Sequence, residues 1–366
     1  MKLLIINSAK EWGGTEKWVR NTALGLAARG HTVYFGCRGT LFDARFSGSA
    51  VRLVKFPFAN NIDLVTVARL RSFMRKNRVD VVLPSKQREY LLAGTAARLW
   101  TKTRVAGMFG IDRPITNMRN RIAFCKLFDM VLVVAEKIIG VLGQTKCFDV
   151  KKCRVVYTGV DPIERSDAAR AACRRELGLV ESDIVITGIG RLAPQKGFDY
   201  ALRAFAIILK TCPQAKLVIA GPGDNAPYRA LAAELGVADK VVFTGFREDI
   251  TGLLLASDFY WLTSRSEGIP NTILEAMAAG VPVVAFDIAG VAEAMRNDVN
   301  GVLVPFEDIR MLAEKTVVLI NDPEYLKRIV AAGRECMARD YSMEKMCADT
   351  ERHLVELLGG IQPSVF

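Results

Sequence analysis

Two glutamates, Glu267 and Glu275, stand eight positions apart in "SRSEGIPNTILEAMAAGVPVVAF", with Gly268 and Pro270 between them and a run of small residues after. The preceding "DFYWLTS" has the pattern of a buried strand and "RSEGIP" that of its exit loop. Pro270 suits the first position of a helix running through "NTILEAMAAG". Glu267 is therefore a loop carboxylate and Glu275 a helical one. Gly268, followed by Ile269, lets a ligand approach the backbone closely, and the N–H groups of Asn271, Thr272 and Ile273 have no intrahelical acceptor and point into the same space. One carboxylate in the loop and one in the helix can each grip a pair of hydroxyls. "AMAAG" draws the helix tightly onto its sheet, so Glu275 is expected to be buried and to need a partner. A ribose diol meets that need, and so does the positive end of the helix dipole.

A second constellation is "GIGRLAPQKGF", in which Arg191 and Lys196 flank a loop containing Pro194 before Gly197 admits a helix. Two cations there can converge on a pair of phosphates, or stand as solvated loop charges. A third is "NSAKEWGGTEKW": Gly13 and Gly14 remove side chains where a helix begins near Thr15, leaving backbone N–H groups free for a phosphate or carboxylate. A purely structural turn reads the same way. The stretch has neither the G-x-G-x-x-G spacing of a dinucleotide site nor the G-K-[ST] of a P-loop.

The elements that must position these groups alternate from end to end. "KLLIIN", "HTVYFGC", "VRLVKFPF", "DVVLP", "RVAGMF" and "MVLVVA" read as strands of a first series, separated by helical patterns. "DIVITGIG", "AKLVIAGP", "KVVFTG", "DFYWLT", "PVVAF" and "GVLVP" form a second series. The fold class is therefore α/β, with two doubly wound, Rossmann-like domains. The polar stretch 158–177 reads as the linker, giving domains at 1–165 and 166–340. The tail reads as helices only, with 341–366 packing back toward the first domain and the late helices bracing both. Ligands of open parallel sheets bind beyond the carboxyl ends of the strands, so the site is expected in a central cleft that the two sheets face.

Composition bounds the rest. The chain has 366 residues, 51% hydrophobic and 24% charged, enough for two ordinary soluble domains. The net charge of +11 favours phosphates, anionic membranes or nucleic acid. Basic clusters at 69–78, 113–126 and 151–154 read as solvated helix faces or as an anionic-membrane surface, and nucleic acid lacks an aromatic-basic platform. Eight cysteines without a C-x-x-C pair, and only two histidines, argue for free thiols and against a zinc site. The run "LLII" is too short for a signal sequence, and charges interrupt every later apolar stretch. A cytoplasmic location is expected, at most peripheral on the inner face of the membrane.

The motifs together resemble the retaining glycosyltransferases of family 4 (glycosyl transferases group 1), of GT-B fold. "SRSEGIPNTILEAMAAGVPVV", "GRLAPQKG", "GGTE", "GVAEAM" and "NGVLV" carry the likeness, which is most specific over 183–306. The resemblance implies a sugar transfer from a nucleotide diphosphate sugar, UDP- or GDP-linked, to a saccharide or lipid-linked acceptor in surface polysaccharide, lipopolysaccharide or glycolipid biosynthesis. It implies that Glu267 contacts the donor sugar and Glu275 the ribose. Arg191, Lys196 and the Gly14 backbone hold the diphosphate, and Gly268, Ile269, Asn271 and Thr272 complete the donor site. The base falls to Gly245, Phe246 and Arg247, and the acceptor to Glu16, Asp112 and Arg113. No cofactor and no metal are expected, in keeping with the lack of a D-x-D sequence. One departure stands out: many members place a histidine where this chain reads "RVAGMFGIDRPI", and Asp112 is the nearest ionisable substitute there. That gap keeps open an alternative, a catalytically silent GT-B protein that binds nucleotide or scaffolds a partner.

Overall fold

The computed structural model describes residues 1–99, 101–110 and 114–359. The chain divides into two compact units, one of Met1–Gly159 completed by the residues from Met343 onward, the other of Val160–Ser342.

In the first unit seven strands form one sheet: β1 (Lys2–Asn7), β2 (Thr32–Cys37), β3 (Arg52–Lys55), β4 (Val81–Pro84), β5 (Arg104–Phe109), β6 (Met130–Val133) and β7 (Cys153–Val155). Their order is β3-β2-β1-β4-β5-β6-β7, and every pairing is parallel. The central strand β1 is buried from Leu3 to Asn7, the near-continuous apolar run expected of a parallel strand covered on both faces. Strand β7 was not among the expected strands. It is three residues long and holds the last two residues of the basic cluster "KKCR", a composition that hides an edge strand.

The second unit has a six-stranded sheet: β8 (Ile184–Ile189), β9 (Ala215–Ala220), β10 (Val241–Gly245), β11 (Phe259–Leu262), β12 (Val283–Phe286) and β13 (Val302–Val304). The order is β10-β9-β8-β11-β12-β13, again all parallel. All six expected strands of the second series are present. Its core joins Ile186, Phe205, Leu217, Trp261 and Phe286 from the sheet and its covering helices.

The stretch read as a linker differs from expectation. The division between units falls after Gly159, and Asp167–Glu176 is a helix of the second unit, capped by Ser166 accepting from the Ala169 N–H. Its anchor is ionic, which is why no apolar stripe announced it. The guanidinium of Arg174 is buried and donates to the Ala256 carbonyl at 3.0 Å and to Asp258 at 2.7 Å, while Arg170 donates to the other oxygen of Asp258 at 2.9 Å. The second unit extends through Ser342, and the helix Met343–Leu357 packs on the first-unit helix Gly14–Ala28. The approach is close enough that a Cβ on Gly25 would lie 2.0 Å from Cys347 Sγ.

Candidate functional site

In both sheets the strand order reverses direction beside the first strand, between β1 and β4 in one and between β8 and β11 in the other. Such switch points leave a crevice beyond the strand ends. Each of the two holds a cluster of ionisable side chains.

Beyond β8, Gly190 leads into a turn, Pro194–Lys196, closed by Gly197 at φ +63°. A side chain at Gly197 would meet the Thr263 carbonyl oxygen at 2.0 Å, so the β8 and β11 exit loops touch backbone to backbone there. Lys196 then folds back, its methylenes lying over Gly190, and its Nζ meets Glu267 Oε1 at 2.6 Å. The same oxygen accepts from Ser264 Oγ at 2.6 Å. Glu267 is 10% and Lys196 22% exposed, so the pair is largely shielded while keeping one open side. Gly268 has open space where a side chain would project, and its carbonyl packs against Gly290. Nothing in the protein demands glycine at 268 through its own crowding, which leaves room for something outside the chain to approach.

The helix after this loop is Asn271–Ala279, with Pro270 as its N-cap and not its first residue, so it begins one position later than expected. Asn271 and Thr272 are half-buried at its start, Ile269 is buried, and Glu275 is buried within it. Beneath the site Tyr260 is fully buried. Burial first, and then the negative charges of Glu267 and Glu275, push its phenol above the ordinary range. Arg191 is exposed at the start of the same β8 exit loop.

Among the expected base-contacting residues, Gly245 ends β10 at φ +70° and Phe246 is 58% exposed. The Arg247 guanidinium is engaged inside the unit, gripping both oxygens of Glu176 at 2.8 and 2.9 Å. Gly14 is exposed in the first turn of Gly14–Ala28. Glu16, expected at the acceptor, is buried and tied to Lys86 at 2.5 Å and to Asn7 at 3.3 Å. Asp112 and Arg113 lie outside the described residues. Among the described residues no group of three or more His, Cys, Asp or Glu side chains could hold a metal ion.

The first unit's switch point opens a cavity of ≈ 610 Å³ lined by Ser8, Lys10, Arg38, Ser85, Lys86 and Arg88, with Thr15 and Asn61 at its sides. None of its lining side chains among the described residues is acidic. Below it Glu89 binds the two exit loops together: its carboxylate accepts from the backbone N–H groups of Ser85 at 2.9 Å, Lys86 at 3.0 Å and Ser8. Complete burial pushes the Glu89 carboxyl up to about 7 against the downward pull of those N–H groups. Lys10, Arg38, Lys86, Arg88 and Glu89 were not singled out in the sequence: Lys10 lies in the stretch read only for its glycines, Lys86, Arg88 and Glu89 stand together at the start of the helix Gln87–Arg98, which carries no motif, and Arg38 joins them from the exit of β2.

Residues 169–336 match the model for Glycosyl transferases group 1, and residues 12–164 match the model for Glycosyltransferase Family 4. The chain carries both glycosyltransferase domains. The chain is 34% identical over 233 residues to an uncharacterized glycosyltransferase of Methanocaldococcus jannaschii, covering 62% of this chain and 58% of that relative, less than two thirds of its length. An uncharacterized glycosyltransferase of Haemophilus influenzae is 25% identical over 340 residues, 91% of this chain and 94% of that one. The crystal structure of Anabaena HepE in complex with UDP-glucose superposes with a TM-score of 0.83 at 21% identity, over 99% of this chain and 100% of that one. The likeness extends to both Rossmann-like sheets, and the fold of this chain is GT-B.

Proposed function

We propose that this glycosyltransferase moves a sugar from a nucleoside diphosphate sugar to an acceptor hydroxyl with retention of anomeric configuration, in the synthesis of a surface or lipid-linked glycan. The observation that carries the reading is the Lys196–Glu267 pair, held at the β8/β11 switch point beside the helix that buries Glu275. A shielded ion pair can exchange partners: the donor's diphosphate draws Lys196, while Glu267, still held by Ser264, turns to sugar hydroxyls the acceptor capacity that Lys196 gives up. Glu275 takes the ribose diol, and the exposed Phe246 face suits a base. A UDP-linked donor is favoured by the HepE complex with UDP-glucose.

In the reaction the bond from the anomeric carbon to the diphosphate oxygen breaks as the acceptor oxygen forms its bond on the same face. The acceptor's proton passes to the departing phosphate oxygen, so no strong protein base is needed. Arg191 and Lys196 stabilise the charge that develops on the leaving group, the part a divalent ion plays elsewhere. The reading is tested by incubating the protein with UDP- and GDP-sugars and following the anomeric proton by NMR. A retained configuration with turnover unchanged by EDTA is expected. An inverted product, or activity that EDTA removes and a divalent ion restores, overturns it.

Attachment to an anionic membrane belongs to the same proposal. Among the described residues no helix is long and apolar enough to cross a membrane, while Leu64–Asn77 carries basic residues in its last turn and exposes Leu64 and Val65 in its first. Sedimentation with anionic vesicles should fall as salt rises, because exposed charges are screened over about 8 Å at physiological ionic strength.

A further inference from the structure

We propose that the basic cavity of the first unit is a phosphate site, and that the acceptor of the transfer is therefore a phosphorylated one. This rests on the reading of the first unit as the acceptor half. The central observation is an unusual sharing: Arg38 Nη1 and Arg88 Nη1 both donate to the carbonyl oxygen of Phe58, at 3.3 and 3.1 Å. Phe58 is buried with φ +42°, a backbone conformation that a bulky residue rarely adopts, and its carbonyl is reached by both guanidiniums.

One neutral carbonyl does not compensate two like charges. Among the described residues neither Arg38 nor Arg88 forms an ion pair, and Asp63, Glu16 and Glu89 have other partners: Asp63 accepts from the Ala59 N–H at 3.0 Å and from Thr66 at 2.6 Å. Glu16 is tied to Lys86 and Asn7, and Glu89 to three backbone N–H groups beneath the floor. With Lys86 matched by Glu16, the charges of Lys10, Arg38 and Arg88 remain on a cavity large enough for a sugar-sized group. A phosphomonoester, close to dianionic at neutral pH, answers that surplus better than a single carboxylate does, and paired guanidiniums give it the forked donors its oxygens fit.

The phosphate has two chemical sources. A soluble sugar or polyol phosphate would place its ester in the cavity, and so would the headgroup of a lipid, which the exposed side chains of Ile62, Leu64 and Val65, just beyond Asn61 on the rim, would accompany. The test therefore has two arms on the intact chain. Binding of glycerol 3-phosphate is measured by calorimetry, with glycerol as the uncharged control. Co-sedimentation is measured with phosphatidylcholine vesicles, with and without phosphatidic acid. Each arm is run with Arg38→Gln, Arg88→Gln and, because the second unit offers cations of its own, Lys196→Ala. Phosphate-dependent binding in at least one arm is expected, weakened roughly tenfold or more by Arg38→Gln and by Arg88→Gln and unchanged by Lys196→Ala. Equal binding by wild type and both arginine variants, loss of binding with Lys196→Ala alone, or no phosphate dependence in either arm overturns the proposal. Circular dichroism and an unchanged thermal shift with UDP show that the arginine variants are folded. Failure of the glycosyl-transfer reading shows separately, as absent turnover of any nucleotide sugar by wild type that still binds phosphate.

Discussion

At the switch point between β8 and β11 the ammonium of Lys196 is matched by Glu267, whereas between β1 and β4 the guanidiniums of Arg38 and Arg88 share the carbonyl of Phe58. The two crevices are alike in topology and opposite in preparation. One rests with its charges mutually satisfied and must exchange partners to bind. The other rests with surplus positive charge above a buried carboxyl and gains compensation when an anion arrives. A doubly wound sheet supplies the place, and the loops decide how the place is charged.

The largest effect should come from breaking the matched pair. Lys196→Ala removes the cation and leaves Glu267 with the Ser264 hydrogen bond, and transfer is expected to fall by about 3 kcal/mol of barrier, roughly a hundredfold, with Arg191→Ala close behind. Steady-state assays with intact fold by circular dichroism check this, and near-normal turnover in either variant would detach the diphosphate from these residues.

The buried carboxyl under the other crevice gives a pH signature. With its folded pKa raised from 4.5 to about 7, Glu89 is protonated in the folded protein over a window in which the unfolded chain has released the proton. Its contribution is therefore fully present below about 4.5 and is lost as pH rises through about 7, by at most about 3 kcal/mol. Melting temperatures of wild type should drop across that window relative to Glu89→Gln, and parallel profiles would show that the N–H groups of Ser8, Ser85 and Lys86 keep Glu89 ionised throughout.

A smaller effect sharpens the role of the loops. Gly197→Ala forces a side chain into the Thr263 carbonyl at a left-handed position and should destabilise by about 2 kcal/mol, with a lower kcat because Lys196 is displaced. A melting curve and a kcat both at wild-type values would separate the turn from the site. The smallest concerns Glu356, paired with Arg154 on the surface: its carboxyl is held down to about 2 chiefly by the Arg154 hydrogen bond. Its contribution exists above about 4.5 and vanishes as pH falls through about 2. Arg154→Ala should change neutral-pH stability by less than about 1 kcal/mol in denaturant titrations, since half-exposed pairs are screened.

What was legible in the chain follows from how each feature is written there. Parallel strands buried on both faces are apolar runs, so both sheets could be read, and only β7, three residues with a basic neighbourhood, was lost. Glu267, Glu275 and Lys196 each lie in a contiguous strand–loop–helix stretch, where spacing along the chain is also spacing in the fold. Arg38 and Arg88 stand fifty positions apart and meet only because Phe58 turns its carbonyl toward both, a juxtaposition with no linear trace. The helix Asp167–Glu176 was hidden for a related reason: Arg170 and Arg174 fasten it to Asp258, and an ionic anchor looks like solvated surface in a sequence.

The division of the first unit between the two ends of the chain has a consequence for how the protein comes into being. The helix Met343–Leu357 closes over Gly14–Ala28, with Glu351 reaching Arg29 at 2.6 Å and His31 at 2.8 Å, contacts that span more than three hundred residues. During synthesis the seven-stranded sheet emerges first, yet its last covering helix leaves the ribosome after the whole of Val160–Ser342. The intervening unit can complete its own contacts while the first still exposes the face that Cys347 and Leu354 will cover. A nascent chain arrested before residue 343 should thus hold a protease-resistant second unit beside a first unit that remains cleavable, reversing the order in which the two are translated.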